Sequence, residues 1–264
     1  MLRIEHLCKT FNPGTVNEKK ALAGLDLHLA EGDFLTVIGG NGAGKSTLLN
    51  AVAGTFPVDA GRILIGGRDV TNLPEHKRAA FIGRVFQDPM MGTAPTMQID
   101  ENLALAARRG ERRGLKWGIS REEKEIYHEK LKELGLGLEE RMTSKVGLLS
   151  GGQRQALTLL MASLKRPQLL LLDEHTAALD PATAAKVLDL SDRIVAENGL
   201  TCMMITHNMR DAINHGNRLI MMNEGKIILD IAGEEKKKLT KRELLDRFAA
   251  LAGTQEETDA VLLS

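Results

Sequence analysis

Phe34-Leu35-Thr36-Val37-Ile38-Gly39-Gly40-Asn41-Gly42-Ala43-Gly44-Lys45-Ser46-Thr47-Leu48-Leu49 is the stretch from which the fold can be read. The run Phe34–Ile38 is rich in β-formers and reads as a short buried strand. Gly39 to Ser46 fits the pattern G-x-x-x-x-G-K-[ST]. From Ser46 to Val52 the sequence reads as a helix closed by Gly54. Strand, glycine loop and helix start together predict a phosphate cradle. Glycines let the backbone wrap closely around oxygens. The loop amides then face phosphate, and the helix N-terminus adds its positive dipole end. Lys45 is expected to reach the β- and γ-phosphates of ATP, and the Ser46 hydroxyl to bind Mg²⁺. The nucleotide contacts predicted here are Gly39, Asn41, Gly42, Ala43, Gly44, Lys45, Ser46 and Thr47.

A second signal lies downstream, where the apolar run Leu169-Leu170-Leu171-Leu172 ends in Asp173-Glu174. A buried parallel strand delivers its last residues to the edge where a phosphate loop also opens. Asp173 is then expected to hold Mg²⁺, directly or through water. Glu174 is expected to orient and deprotonate an attacking water. Alone, the pair could be a solvated strand end; the phosphate loop changes that reading.

Around these two segments the chain alternates strands and helices. Leu2, Ile4 and Leu7, then Leu25, Leu27 and Leu29, alternate on either side of a turn at Asn12-Pro13-Gly14. Residues 97–145 are charge-rich and helix-favouring, with helices expected over 99–109 and 121–134. Helices over 153–164 and 181–198 flank strands at 168–172 and 200–206, which predicts a mainly parallel sheet covered by helices. A hairpin is expected around Glu224-Gly225 and a terminal helix over 240–252, with the last dozen residues disordered. The charged run Glu234 to Lys238 reads as solvated surface.

Composition narrows the function. The 264 residues are 43% hydrophobic, and Lys plus Arg balance Asp plus Glu at 35 each, so no basic excess points to nucleic acid. Cys8 and Cys202 are far apart, without metal spacing or a disulfide framework, and Cys202 reads as an inert buried thiol. No leader-like segment opens the chain, and its apolar runs fall far short of the roughly 20 residues that span a bilayer.

Leu149-Ser150-Gly151-Gly152-Gln153-Arg154-Gln155 separates one class of nucleotide enzyme from the others. A hydroxyl, two unhindered amides and a helix start make a second anion site, although Ser-Gly-Gly is also an ordinary N-cap. The run resembles the signature of the ABC ATPase family, and the resemblance extends over residues 1–232. It implies an α/β fold with a P-loop NTPase core and a mainly parallel sheet, an N-terminal antiparallel β subdomain and an α-helical subdomain inserted at about 88–165. A short helical tail, 233–264, would follow. It also implies a homodimer in which Ser150, Gly151, Gly152 and Gln153 of one copy cap the ATP held by the other. The family order continues elsewhere. Gln87 matches the glutamine loop that touches Mg²⁺ or the attacking water, and Asp180, in Ala178-Leu179-Asp180, matches the loop that crosses the dimer interface. His207 matches the histidine on the γ-phosphate, and Phe11 the aromatic beneath adenine. Two positions depart from the family: His175 stands where proline is usual, and Phe11 replaces the commoner tyrosine. Losing proline removes a fixed φ after Glu174, and a histidine there could titrate near neutral pH.

What the resemblance implies is the ATPase motor of a transporter on the cytoplasmic face of the cell membrane. It would drive integral membrane permease subunits, import being the commoner direction, with an extracytoplasmic solute-binding protein in the same system and an amino acid or related small solute as cargo. Met90, Met91, Ala94, Pro95, Met97 and Ile99 would line the groove that receives a permease helix, methionine giving an adaptable apolar surface. Soluble ABC ATPases of DNA maintenance or ribosomes carry coiled-coil arms or paired cassettes, which this sequence lacks. A small-molecule kinase would leave the signature unexplained.

Overall fold

A computed structural model describes residues 1–111 and 118–252; the predicted disordered end lies outside the described residues. The chain forms β1 (Leu2–Phe11), β2 (Lys19–Leu29), β3 (Phe34–Gly39), α1 (Lys45–Ala53), β4 (Ala60–Ile65), β5 (Arg68–Asp69) and α2 (Glu75–Arg78). Then come β6 (Ile82–Val85), α3 (Ile99–Ala107), α4 (Arg121–Lys132), α5 (Gly151–Leu164), β7 (Leu169–Asp173) and α6 (Pro181–Asn198). The last are β8 (Thr201–Ile205), α7 (Met209–Asn214), β9 (Arg218–Asn223), β10 (Lys226–Ala232), α8 (Gly233–Lys238) and α9 (Lys241–Ala252). They divide into two compact units, one of residues 1–78 with the chain from Gly199 onward, the other Ala79–Asn198.

The first unit holds two layers of strands. β1 pairs antiparallel with β2 and β4, with Ile4 opposite Leu27 and Ile63. The period-2 pattern of these strands therefore buries one face. β3 lies between two parallel neighbours, Val37 opposite Ile205 of β8 and Ile220 of β9. β3 is buried throughout, as expected of a strand covered on both faces. α9 is docked rather than loose: its Leu244 and Phe248 pack with Ile38, Met209, Leu219 and Met221.

The charged run at 234–238 lies at the surface as read, with Glu234, Glu235, Lys237 and Lys238 exposed, and Lys236 is the one correction to that reading. The run forms α8, whose Lys236 is only 2% exposed. Its ammonium donates to the carbonyls of His215 and Gly216 and to Thr36 Oγ1. Burying such a charge is tolerable where acceptors surround it.

In the second unit β6 and β7 are parallel, with Val85 opposite Leu172, and α5 packs on α3, α6 and β6. Gly83 in β6 has a packing reason, because a Cβ there would run into the Ala162 carbonyl of α5. Capping boxes start three helices in this unit: Gln98 with Glu101, Ser120 with Glu123, and Ser150 with Gln153.

Arg78 fixes the far end of the phosphate-loop helix. It is 1% exposed, and burial lowers its pKa from the usual arginine value. Its guanidinium donates to the Ala51 and Val52 carbonyls at 2.8 Å, to Leu73 at 2.7 Å and to Thr71 at 2.9 Å. Two of those acceptors belong to the last turn of α1, where carbonyls lack helical partners and a cation is favoured. Arg78→Met should therefore lower stability by about 3 kcal/mol, since it strands several buried carbonyls. A urea titration should show the midpoint shift at unchanged slope.

Candidate nucleotide site

Two strand ends in the first unit converge because β3 and β8 are parallel. β3 ends at Gly39 and enters the phosphate loop; β8 ends at Ile205 and leads through Thr206 to His207. Thr206 N donates to the Val37 carbonyl at 3.2 Å, which ties the two ends together. His207 is exposed and lies between Thr206 and Asn208. Asn208 caps α7 by accepting from Arg210 N at 2.9 Å.

The loop itself needs glycine. Gly44 has φ 103°, and a Cβ on it would sit 2.5 Å from the Ala21 carbonyl. Only a residue without Cβ holds that backbone so close to β2. Lys45 is buried and donates to the carbonyls of Gly39 at 2.6 Å and Gly40 at 3.0 Å. Its ammonium thus bridges the mouth of the loop. Asn41, Gly42 and Ser46 are exposed there, Thr47 is half-buried and Ala43 is buried. Phe11, at the end of β1, is half-buried; its ring meets Phe56 edge-on at 5.4 Å, and Lys9 Nζ lies 5.6 Å from its centre.

In the second unit the parallel register of β6 and β7 sends Gln87 and the Asp173-Glu174 pair to one edge. Gln87 is exposed, and Asp173 and Glu174 are half-buried. Arg84 Nη2 lies 3.4 Å from Asp173 Oδ2, and its guanidinium stacks 4.4 Å from the centre of Phe86. This arginine escaped the sequence reading, because a charge inside a four-residue strand carries no motif. Glu174 has φ 45°, in the left-handed region, which costs a non-glycine residue about 1–2 kcal/mol. Backbone strain of this kind clusters at functional sites.

The signature begins α5. Ser150 Oγ accepts from Gln153 N at 3.3 Å, and Gln153 Oε1 accepts from Ser150 N at 3.2 Å. Here the run serves as a helix cap, the ordinary reading of Ser-Gly-Gly. Its glycines have packing reasons as well. A Cβ on Gly151 would lie 3.3 Å from Leu179, and one on Gly152 would strike Thr183 Cγ2. The signature and the loop containing Asp180 are therefore in contact within one unit. Asp180 in turn caps α6, accepting from Thr183 N at 3.1 Å, and its hydrogen bonds with Thr183 lower its pKa. Gln155 Nε2 donates to the Phe86 carbonyl at 3.3 Å, joining α5 to the segment that bears Gln87.

Of the proposed groove residues, Met90 and Met91 are exposed at 38% and 69%, whereas Ile99 is fully buried and belongs to the core. Ala94 is held by Asn102, which accepts from its amide at 2.7 Å and donates to its carbonyl at 3.1 Å.

The chain as a whole is similar to known proteins. A family model described as ABC transporter covers residues 22–177, and the chain belongs to that family. It is 43% identical over 253 residues to a tyrosine transport ATP-binding protein of Clostridioides difficile, covering 94% of this chain and 98% of that one. It is 30% identical over 256 residues to the aliphatic sulfonates import ATP-binding protein SsuB of Pseudomonas putida, covering 94% and 87%. Among solved structures, a dimeric ATP-binding cassette in a post-hydrolysis state with ADP and Pi superposes with a TM-score of 0.75 at 29% identity, covering 88% and 98%. An ATP-binding cassette of an ABC transporter in its ADP conformation gives a TM-score of 0.76 at 28% identity, covering 99% and 98%. The chain is thus a nucleotide-binding ATPase subunit of the ABC type, with a P-loop NTPase α/β fold.

Ser150 offers a direct separation of capping from nucleotide contact. Ser150→Ala should lower stability by about 1 kcal/mol through the lost cap, whereas Ser150→Asp keeps a capping oxygen. A carboxylate should nevertheless repel phosphate. Thermal melts should then rank Asp above Ala, while steady-state ATP hydrolysis falls in both.

Proposed function

We propose that this chain is the motor of an importer, in which two copies close head to tail on two ATP molecules. The feature that carries this reading is the presence, in one chain, of two helix starts suited to phosphate: the glycine loop before α1 and the serine-capped start of α5. One nucleotide needs both only if they come from different copies. The dimeric relative with ADP and Pi supports the pairing.

In this scheme Lys45 exchanges its carbonyl partners for β- and γ-phosphate oxygens. Phe11 stacks beneath adenine, and His207 contacts the γ-phosphate. Ser150, Gly151 and Gly152 of the other copy close over the triphosphate, with Gln153 holding the cap and Asp180 at the interface. Glu174 accepts a proton from the water that attacks the γ-phosphorus, and the bond to the bridging oxygen of ADP breaks. Ser46, Gln87 and Asp173 offer only oxygen donors, a set that suits Mg²⁺, whose charge would neutralise the phosphate oxygens. Among the described residues no cluster of three or more His, Cys, Asp or Glu forms a separate metal site.

No described helix is long and apolar enough to cross a membrane. We place the chain on the cytoplasmic face of the cell membrane, held there by separate permease subunits that Met90 and Met91 help to engage. Import is favoured because relatives are named as import ATP-binding proteins. The 43% relative, named for tyrosine transport, favours an amino acid as cargo, and a solute-binding protein would deliver it.

Glu174→Gln should bind ATP normally but hydrolyse it about 10²–10⁴-fold more slowly. With ATP it should elute as a dimer in size-exclusion chromatography; a variant that remains monomeric with ATP would remove the head-to-tail reading. Lys45→Ala should raise the Kd for ATP by about tenfold or more, the loss of one charge-assisted contact. Equilibrium binding of a fluorescent ATP analogue measures this. Affinity capture from detergent-solubilised membranes should retain an integral membrane subunit and no nucleic acid.

A further inference from the structure

His175 follows the proposed base directly, yet none of the roles above uses it. It is 2% exposed, and its Nε2 lies 3.0 Å from Ser191 Oγ on α6. Ser191 is equally buried, and its hydroxyl donates to the Val187 carbonyl at 2.8 Å. With its one proton directed to Val187, the hydroxyl is left to accept from an Nε2–H tautomer of His175. In that arrangement a directional chain runs from the imidazole through Ser191 into the backbone of α6.

Short-range bonds also act within the loop between β7 and α6. Ala177 N donates to Glu174 O at 3.0 Å, and Leu179 N to Thr176 O at 3.1 Å. The Asp180 cap then starts α6. Against this, the left-handed backbone of Glu174 is a sparsely populated conformation that persists only where its surroundings hold it. The His175–Ser191 bond is a long-range side-chain tie, one residue away from that strain.

We infer that His175 is a positioning residue for hydrolysis. By donating Nε2–H to Ser191 it locks the backbone at Glu174, so that the carboxylate meets the attacking water. The inference rests on the assignment of Glu174 as base. It makes no use of a change in imidazole charge. A merely structural histidine would affect melting and leave the turnover of the folded enzyme intact.

The experiment uses the full chain and measures kcat and KM for ATP, with melting temperature, in His175→Phe, His175→Gln, Ser191→Ala and the double variant His175→Phe/Ser191→Ala. Phenylalanine fills the space without a donor; the glutamine amide stands in for Nε2–H. His175→Phe and Ser191→Ala should each lower kcat by about tenfold with KM held within about twofold, the sign of an interaction felt in the transition state. The double variant should be no slower than either single one, because both remove the same bond. His175→Gln should recover most of the rate. If His175→Phe does not fold, Ser191→Ala and His175→Gln decide. Wild-type kcat in Ser191→Ala, or losses that multiply in the double variant, would overturn the inference while leaving Glu174 as base. Fast turnover by Glu174→Gln would remove the base assignment and the inference with it.

Discussion

Parallel pairing of short buried strands is the constraint on which the arrangement of functional residues depends. A parallel pair sends both C-terminal ends to the same edge, whatever side chains those ends carry. In one unit the register of β3 and β8 puts the phosphate loop beside the segment that leads to His207. In the other, the register of β6 and β7 puts Gln87 beside Asp173 and Glu174. These strands are packed on both faces, so a slip of one residue in either pair would set every side chain against the wrong neighbours, and packing of the strands enforces the alignment of the chemistry. Thus Leu169 to Leu172, which touch no substrate in the proposed scheme, determine where the two carboxylates emerge.

The same economy holds at the signature. Ser150 and Gln153 form a capping box, and the glycines between them allow close approach to Leu179 and Thr183. Requirements of folding account for this much of the run without any ligand. Ser150 stays exposed at that helix start, next to the loop that contains Asp180. A cap that is buried only in a dimer would be free in the monomer to satisfy the helix and, once paired, to face phosphate.

The sequence disclosed those parts of the fold whose reasons are local. The glycine loop, the helix over 181–198 and the hairpin about Glu224-Gly225 all carry turn chemistry or periodicity within a few residues. β6 carries neither: its four residues include Gly83, present because a carbonyl of α5 approaches from far along the chain. β4 alternates only at Ile63 and Ile65, a run too short to mark a strand by itself. Lys236 inverts a rule that holds for most charged runs, since its partners lie some 20 residues upstream or, in Thr36, 200 residues away. Arg78 and Arg84 were silent for the same reason. An arginine that serves distant carbonyls or a neighbouring strand's carboxylate has the same letter as one in solvent.

A resemblance to a family marks His175 as a departure from proline, and nothing in the local sequence says what takes over. Proline restrains a backbone from within, by its own ring. A buried imidazole can restrain it only from outside, through a partner, and that partner is Ser191, 16 residues along the chain on α6. The restraint therefore becomes conditional on the packing of α6 against the loop. A covalent ring cannot respond to a shift of that helix, whereas a hydrogen bond to it must, so at this position the geometry of Glu174 is tied to the placement of α6.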